Sequence, residues 1–350
     1  MSKPKLALIL GSGFSKVAGL PTTADIPSKF LETPDNSNLP LKIDEQINDI
    51  LRNFWKRIFG YSESNDFPSL ENHFTLLDLA ANSGHHLGRY YSPKRLRAIR
   101  RMSIHRVFQL LTTGKKSDYI QKTLRKLKNS YDLSIVTLNW DIVVEKHLHR
   151  KIKFHYPIKT FKFDSQYNNK PWKHNGVPIM KIHGSTNWVY CDSCRRFFTG
   201  KIANSALNKR TFLEIKDFEI FNSEEKIVKL LKRHQGDRSC PHCKNIMAGR
   251  VATFSYRKNF SIAQFQSIWE QAHAALREAD LWLIVGYSMP EADFEFLHLL
   301  KSAELGRKSP KGLSIEVITK GNIETVQRYK GFFNIKRLRI NKDGLEKWVE

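Results

Sequence analysis

Cysteine is scarce in this chain of 350 residues. Four residues are too few for a disulfide-built scaffold. Long apolar runs are missing as well. The longest, Leu281 to Met289, is half of the roughly 18 residues that a bilayer-crossing helix needs, which excludes a membrane-spanning reading. Internal repeats and low-complexity stretches are lacking, so solenoids and propellers are excluded too. Acids are outnumbered, 34 Asp+Glu against 58 Lys+Arg, for a formal charge of +24. A glycine-rich turn follows the first apolar run where a secretory signal would carry a small-residue cleavage site, so a soluble cytoplasmic protein is expected.

What is present is an ordinary globular balance, 41% hydrophobic and 26% charged residues. The length suggests one large domain with an insertion, or two domains. A buried strand over 5–10 runs into a glycine turn and a helix start, the phosphate-binding entry of a doubly wound fold. Helical periodicity follows over roughly 42–60, 70–82, 93–113 and 118–129. Strands are expected at 133–138 and 178–182, the first leading to a helix after Asp141. Beyond a weakly patterned stretch from about 188 to 250, strands at 251–254, 281–285 and 314–319 alternate with helices at 261–279, 291–304 and 323–330. This alternation predicts an α/β fold, a Rossmann-like doubly wound parallel sheet. The sheet lobe would take residues 1–24, 131–187 and 251–340. A helical insertion, about 25–130, and a cysteine module, about 188–250, would form a smaller lobe.

The charge is uneven. Between Pro93 and Ser130 stand twelve Lys/Arg and one acid, Asp118. Leu96, Ile99, Val107, Leu110 and Leu111 mark an apolar helical face there, with Lys94, Arg95, Arg97, Arg100 and Arg101 on the remainder. Such a region suits nucleic-acid phosphates, an acidic protein partner, or solvent alone.

Chemistry-bearing residues fall at expected strand ends, where ligands sit in open α/β sheets. Gly11 and Gly13 allow close backbone approach to a diphosphate whose charge a helix N-terminus would stabilise. Asn139 offers a donor and an acceptor without charge, suited to a sugar hydroxyl or a water molecule, and Asp141 can cap the following helix. His183 follows another strand, and histidine is a side chain that titrates near neutral pH and can act as a general base. Gly286-Tyr287-Ser288 is a second close-approach point, and Asn322 follows the strand ending at Thr319. The four cysteines are paired as Cys191-x-x-Cys194 and Cys240-x-x-Cys243, with residues 195–239 between the pairs. Four thiolates so arranged suit tetrahedral Zn2+ in a closed, structural site. His234 and His242 are near enough in sequence to rival one ligand, and a helix over 223–234 is expected within the long gap.

In order, GSGFS with GLP, TLNWD, KIHGS, the two cysteine pairs, GYS and TKGN resemble the sirtuin family from Gly11 to Asn322. The resemblance implies NAD binding by Gly11, Gly13, Phe14, Ser15 and Pro21. It further implies Asn139 and Asp141 at the nicotinamide ribose, His183 as general base, and Gly286, Ser288 and Asn322 at the adenosine end. The cysteine pairs would hold zinc.

The departures bear on the activity. Protein deacylases of that family carry Asp-Phe-Arg after the proline, where Thr22-Thr23-Ala24 stands here. They carry Gln where Leu138 stands, and a Phe-Gly-Glu segment where residues 251–256 read VATFSY. The NAD-cleaving residues are kept and the peptide-handling ones altered. That pattern is similar to the bacterial sirtuin-like proteins of anti-phage defence, which hydrolyse NAD. It implies an NAD glycohydrolase that works as a homo-oligomer or beside a partner such as an ATPase. The alternatives are an NAD-dependent deacylase and a non-catalytic NAD or ADP-ribose binding module.

Overall fold

The computed structural model describes residues 3–34, 37, 39–62, 66–112, 114–149, 151–162, 175–199, 213–234, 239–247, 263–307, 312–320 and 323–350. Its first half runs β1 (Lys5–Leu10), α1 (Ser12–Lys16), α2 (Ile26–Lys29), α3 (Leu41–Phe59), α4 (Leu70–Ser83), α5 (Pro93–Leu110), α6 (Asp118–Ser130), β2 (Asp132–Thr137) and α7 (Val143–Leu148). Then come β3 (Phe154–His155), β4 (Thr160–Lys162), β5 (Val177–Lys181), β6 (Trp188–Cys191), β7 (Arg196–Thr199), α8 (Ile215–Glu219) and α9 (Glu225–His234). The chain closes with α10 (Ala263–Glu278), β8 (Leu281–Val285), α11 (Phe294–Leu305), β9 (Ser314–Ile318), α12 (Ile323–Phe332), β10 (Leu338–Asn341) and α13 (Gly344–Val349).

Seven strands form one sheet in the order β10-β9-β8-β1-β2-β5-β3, and every neighbouring pair is parallel. Leu6 to Leu10 of β1 are all at most 1% exposed. Successive side chains point to opposite faces, so both faces of this strand are covered, as a parallel sheet requires. The expected doubly wound sheet is thus present. The chain passes from β1 to β2 on one side and later returns to β8 on the other, which places a topological switch at β1. Register levels the strand ends: Leu10 stands beside Thr137 and Val285, Thr137 beside Lys181, and Val285 beside Ile318. The residues that follow therefore emerge in one row.

Two apolar cores divide the molecule. One holds the sheet with α6, α10 and α11. The other joins α3, α4 and α5 to the cysteine module. The hairpin β6–β7 is the wall between them, because strand alternation sends Trp188, Tyr190 and Phe197 to the sheet core and Val189, Cys191 and Phe198 to the smaller one. The helical block drawn from sequence at about 25–130 gives its last helix to the sheet: Ile120, Leu124 and Leu127 of α6 lie in the sheet core. The stretch read as weakly patterned contains β6, β7, α8 and α9, with β4 completing a small three-stranded sheet. The strand expected at 251–254 lies outside the described residues.

Helix α5 differs most from expectation. Arg106 is wholly buried and pairs with the equally buried Asp44 at 3.1 Å. Arg100 pairs with buried Asp78, and Arg101 with buried Asp217 (Nε to Oδ2 2.9 Å). Arg95 donates to the Tyr90 and Ile220 carbonyls and stacks on the Tyr90 ring, and Arg97 donates to the Ala81 carbonyl. These arginines join helices inside the small lobe. The exposed basic surface of the 93–130 region comprises Lys94 and Arg97 on α5 together with Lys115, Lys116, Lys122, Arg125 and Lys126 on α6 and the loop before it.

Candidate functional site

The turns after β1 and β8 are pressed together. The Gly11 and Gly13 amides donate to the Val285 and Gly286 carbonyls at 3.1 and 2.8 Å, and the Phe14 amide donates to the Gly11 carbonyl. A Cβ on Gly11 would stand 2.5 Å from Tyr287 Cα, and one on Gly13 2.8 Å from Gly286 Cα. Gly286, at φ +64°, would bring a Cβ within 2.2 Å of Phe14 N. Each glycine therefore has a packing reason of its own. The amides expected to cradle a diphosphate are already donated within the chain. Helix α1 has only five residues, so the anion-binding dipole expected there is small.

Beside this junction the end of β2 is tied to α1. Asn139 Nδ2 donates to the Gly11 carbonyl (2.8 Å) and to Ser15 Oγ (3.0 Å), and Ser15 Oγ donates to Asp141 Oδ2 (2.7 Å). With its nitrogen so committed, Asn139 presents its side-chain carbonyl oxygen as the group for a ligand hydroxyl or water. Asp141 Oδ1 accepts from the Val143 amide, the first of α7, at 2.9 Å, while the N-cap position itself is Ile142. Trp140 packs into the smaller core, its ring 5.8 Å from Phe108, so the loop is pinned at the lobe junction. His183, 5% exposed, follows β5 and lies 6.4 Å from the Trp269 ring, while Trp269 Nε1 donates to the Ile182 carbonyl at 3.1 Å.

Gly11, Pro21, Asn139, Asp141, His183, Gly286 and Ser288 line one cavity of about 530 Å3, within the range of ligand sites. Ile26, Pro27, Phe67, Leu70 and Leu111 of the helical block form its other wall. A second cavity, about 370 Å3, is lined by Gly13, Lys16, Thr22, Thr319, Lys320 and Glu346. The two share Ser12, Thr23, Ala24, Gly286, Tyr287 and Ser288, so they are compartments of one cleft over the paired turns. Their charges differ. Among the described residues, the first compartment has Asp66, Glu71, Asp141 and Asp293 and neither Lys nor Arg. The second has Lys16, paired with Asp25 at 3.2 Å, and Lys320, held by Glu346 at 2.9 Å.

Two expected ligand contacts are not brought to the cleft. Phe14 is fully buried in the sheet core, on the inward side of α1. Ser15, 1% exposed, braces Asn139 and Asp141 and lines neither cavity. Asn322 lies outside the described residues. The sequence reading missed the cavity wall from the helical block, Trp269 behind His183, and Lys16 and Lys320. The signal for Lys320 was available, since it directly follows an expected strand end.

The four cysteines converge from the β6–β7 hairpin and the 240–243 turn. Cys191 and Cys243 sulfurs are 3.4 Å apart, Cys194 and Cys240 3.7 Å, and all four lie within 4.8 Å of one another. Tetrahedral zinc with sulfur at about 2.3 Å sets neighbouring sulfurs about 3.8 Å apart, so the donor set fits that ion. Arg195 and Lys244, each directly after a pair, adopt positive φ (55° and 65°) and turn both knuckles inward. The His242 amide donates to Cys240 Sγ at 3.4 Å. The rival ligand His234 instead bonds the Leu230 carbonyl through Nδ1.

No protein-family model and no curated protein matches this chain. Among solved structures it is similar to a Sir2–p53 peptide–NAD+ complex, at 11% identity and a TM-score of 0.44 over 99% of this chain and 91% of that one. It is also similar to a Sir2 homologue–NAD complex, at 12% and 0.44 over 99% and 87%. A third is an ADP-ribose complex of a mutant Sir2 homologue, at 13% and 0.44 over 99% and 89%.

Proposed function

We propose that this chain binds NAD in the two-compartment cleft and hydrolyses its bond to nicotinamide, releasing nicotinamide and ADP-ribose. The observation that carries the reading is the meeting of Asn139 and His183 in one compartment beside another that holds Lys16 and Lys320. The cationic nicotinamide ring and its ribose suit the compartment with carboxylates. The anionic diphosphate and adenosine suit the side toward the lysines.

Cleavage of the N-glycosidic bond leaves positive charge on the ribose, an oxocarbenium-like state comparable to that of glycosidases. The carboxylates around the compartment favour that charge. Asn139 holds a water or a ribose hydroxyl through its carbonyl oxygen, and His183 takes the proton as the new C–O bond forms. Asp141, braced by Ser15, fixes the loop. Cys191, Cys194, Cys240 and Cys243 would hold zinc, which would supply a structural cross-link for the small lobe and take no part in the chemistry. Hydrolysis is favoured over deacylation because the family-like residues kept here are those for NAD, while those for peptide are replaced. The resemblance to defence proteins supports a role in anti-phage defence. For nucleic acid, the internal pairing of Arg100, Arg101 and Arg106 leaves Lys94 and Arg97 of α5 and the exposed Lys and Arg of α6 and its preceding loop as the contact surface.

The test is incubation with NAD, with and without an acyl-lysine peptide, and identification of products by mass. ADP-ribose formed without peptide and lost in Asn139→Ala supports the proposal. O-acyl-ADP-ribose formed only with peptide makes the protein a deacylase. Binding of NAD without turnover makes it a sensor module.

A further inference from the structure

Behind the first compartment lies a buried charged chain that the proposed chemistry leaves unused. Lys181, the last residue of β5, and Glu145 on α7 have side chains 1% and 0% exposed, with Nζ 3.2 Å from Oε1. The Lys181 ammonium also donates to the Asp141 backbone carbonyl. Tyr156 Oη donates to the same Glu145 oxygen at 2.8 Å, and burial pushes its phenol well above the ordinary range, so it stays a donor. Asn187 Nδ2 donates to Tyr156 Oη (3.2 Å), and Ser185 Oγ donates to Asn187 Oδ1 (2.7 Å). The Thr186 amide closes the circuit on the Trp140 carbonyl at 2.7 Å. One network therefore spans the loop of Asn139 and Asp141 and the loop that begins at His183.

Taking an ammonium and a carboxylate out of water costs several kcal/mol per ion, and apolar residues of similar volume hold a core equally well. Fold stability alone gives little reason for a charged pair here, whereas its place between the two loops gives a specific one. We propose that Lys181 and Glu145 are positioning residues that fix the Asn139 loop against the His183 loop, so that both side chains meet the same ribose. The proposal rests on the NAD-cleaving reading. Lys181 touches no substrate; it acts through the Asp141 carbonyl.

The test pairs Lys181→Met with Lys181→Met/Glu145→Leu, read by melting, steady-state kinetics with NAD and amide hydrogen exchange. The single variant leaves a buried carboxylate alone and melts early. The double variant is expected to melt close to wild type. It should lose about 100-fold in kcat, the scale of a misplacement near 1 Å, with KM changed less than about threefold. Exchange at the Thr186 and Val143 amides should quicken in it by about tenfold or more. A double variant with wild-type turnover and exchange overturns the proposal. Should the double variant not melt cooperatively, Tyr156→Phe decides. It removes the hydroxyl that donates to Glu145 and accepts from Asn187, and should lower kcat about tenfold or more, the scale of one to two buried hydrogen bonds; wild-type exchange and kcat there overturn the proposal. If the wild-type protein does not cleave NAD, exchange still decides: quickened exchange upholds the loop fixation and sinks only the NAD reading.

Discussion

The side-chain nitrogen of Asn139 lies 2.8 Å from the carbonyl oxygen of Gly11, binding the end of β2 to the turn after β1. Ser15 completes that clasp and is buried beneath it. Ser15→Ala strips partners from the Asn139 amide and the Asp141 carboxylate together. The expected cost is about 1–3 kcal/mol, the price of a buried unsatisfied group. Turnover should fall more steeply than stability, and paired melting and NAD-consumption measurements check the ratio.

Gly286→Ala should destabilise far more than Gly19→Ala. Both glycines have positive φ, but a Cβ at Gly19 meets nothing within 4 Å, whereas one at Gly286 runs into the Gly13–Phe14 backbone. Strain alone at Gly19 costs about 1 kcal/mol. Urea midpoints of the two variants should fall in that order.

Metal removal should loosen one lobe first. Cys191 and Cys240 belong to the same core as Ile43, Phe54 and Met102. Chelation, or Cys194→Ser, should open that core to proteolysis while the sheet keeps its protection. Simultaneous loss of both lobes would count against a purely local role for the ion.

Acid should weaken the small lobe through two histidines. Burial pushes His73 and His105 down to about 3 from an ordinary 6.5. The unfolded chain takes up these protons below about pH 6.5 and the folded chain does not until about pH 3. Stability is therefore full above 6.5 and falls as pH drops, by up to about 1.4 kcal/mol per pH unit for each group. Among the described residues neither ring nitrogen of His105 has a hydrogen-bond partner. His105→Leu should leave stability at pH 8 equal or higher and make the acid slope shallower by one proton, measured by denaturant unfolding across pH.

The strand ends and their polar residues were legible because apolar runs and motifs are local. What depended on distant partners was not. The Arg100, Arg101 and Arg106 carboxylate partners stand 22, 116 and 62 residues away in sequence, so a helix that glues a lobe read as a basic face. The packing role of Gly11 and Gly13 needs the register of β1 on β8, which no local pattern carries. Phe14 was assigned to ligand through the family resemblance alone, because a five-residue helix is too short for its pattern to declare an inward side. Lys181 read as part of a motif, and only the approach of α7 to β5 makes it one half of a buried pair.

The most direct test of NAD hydrolysis is turnover in 18O-enriched water without any acylated peptide, followed by the mass of the ADP-ribose. Transfer of water to the ribose carbon gives ADP-ribose carrying one heavy oxygen, abolished in Asn139→Ala and reduced about 10²–10⁴-fold in His183→Ala. NAD left intact until an acyl-lysine peptide is added, with O-acyl-ADP-ribose as the product, would contradict it.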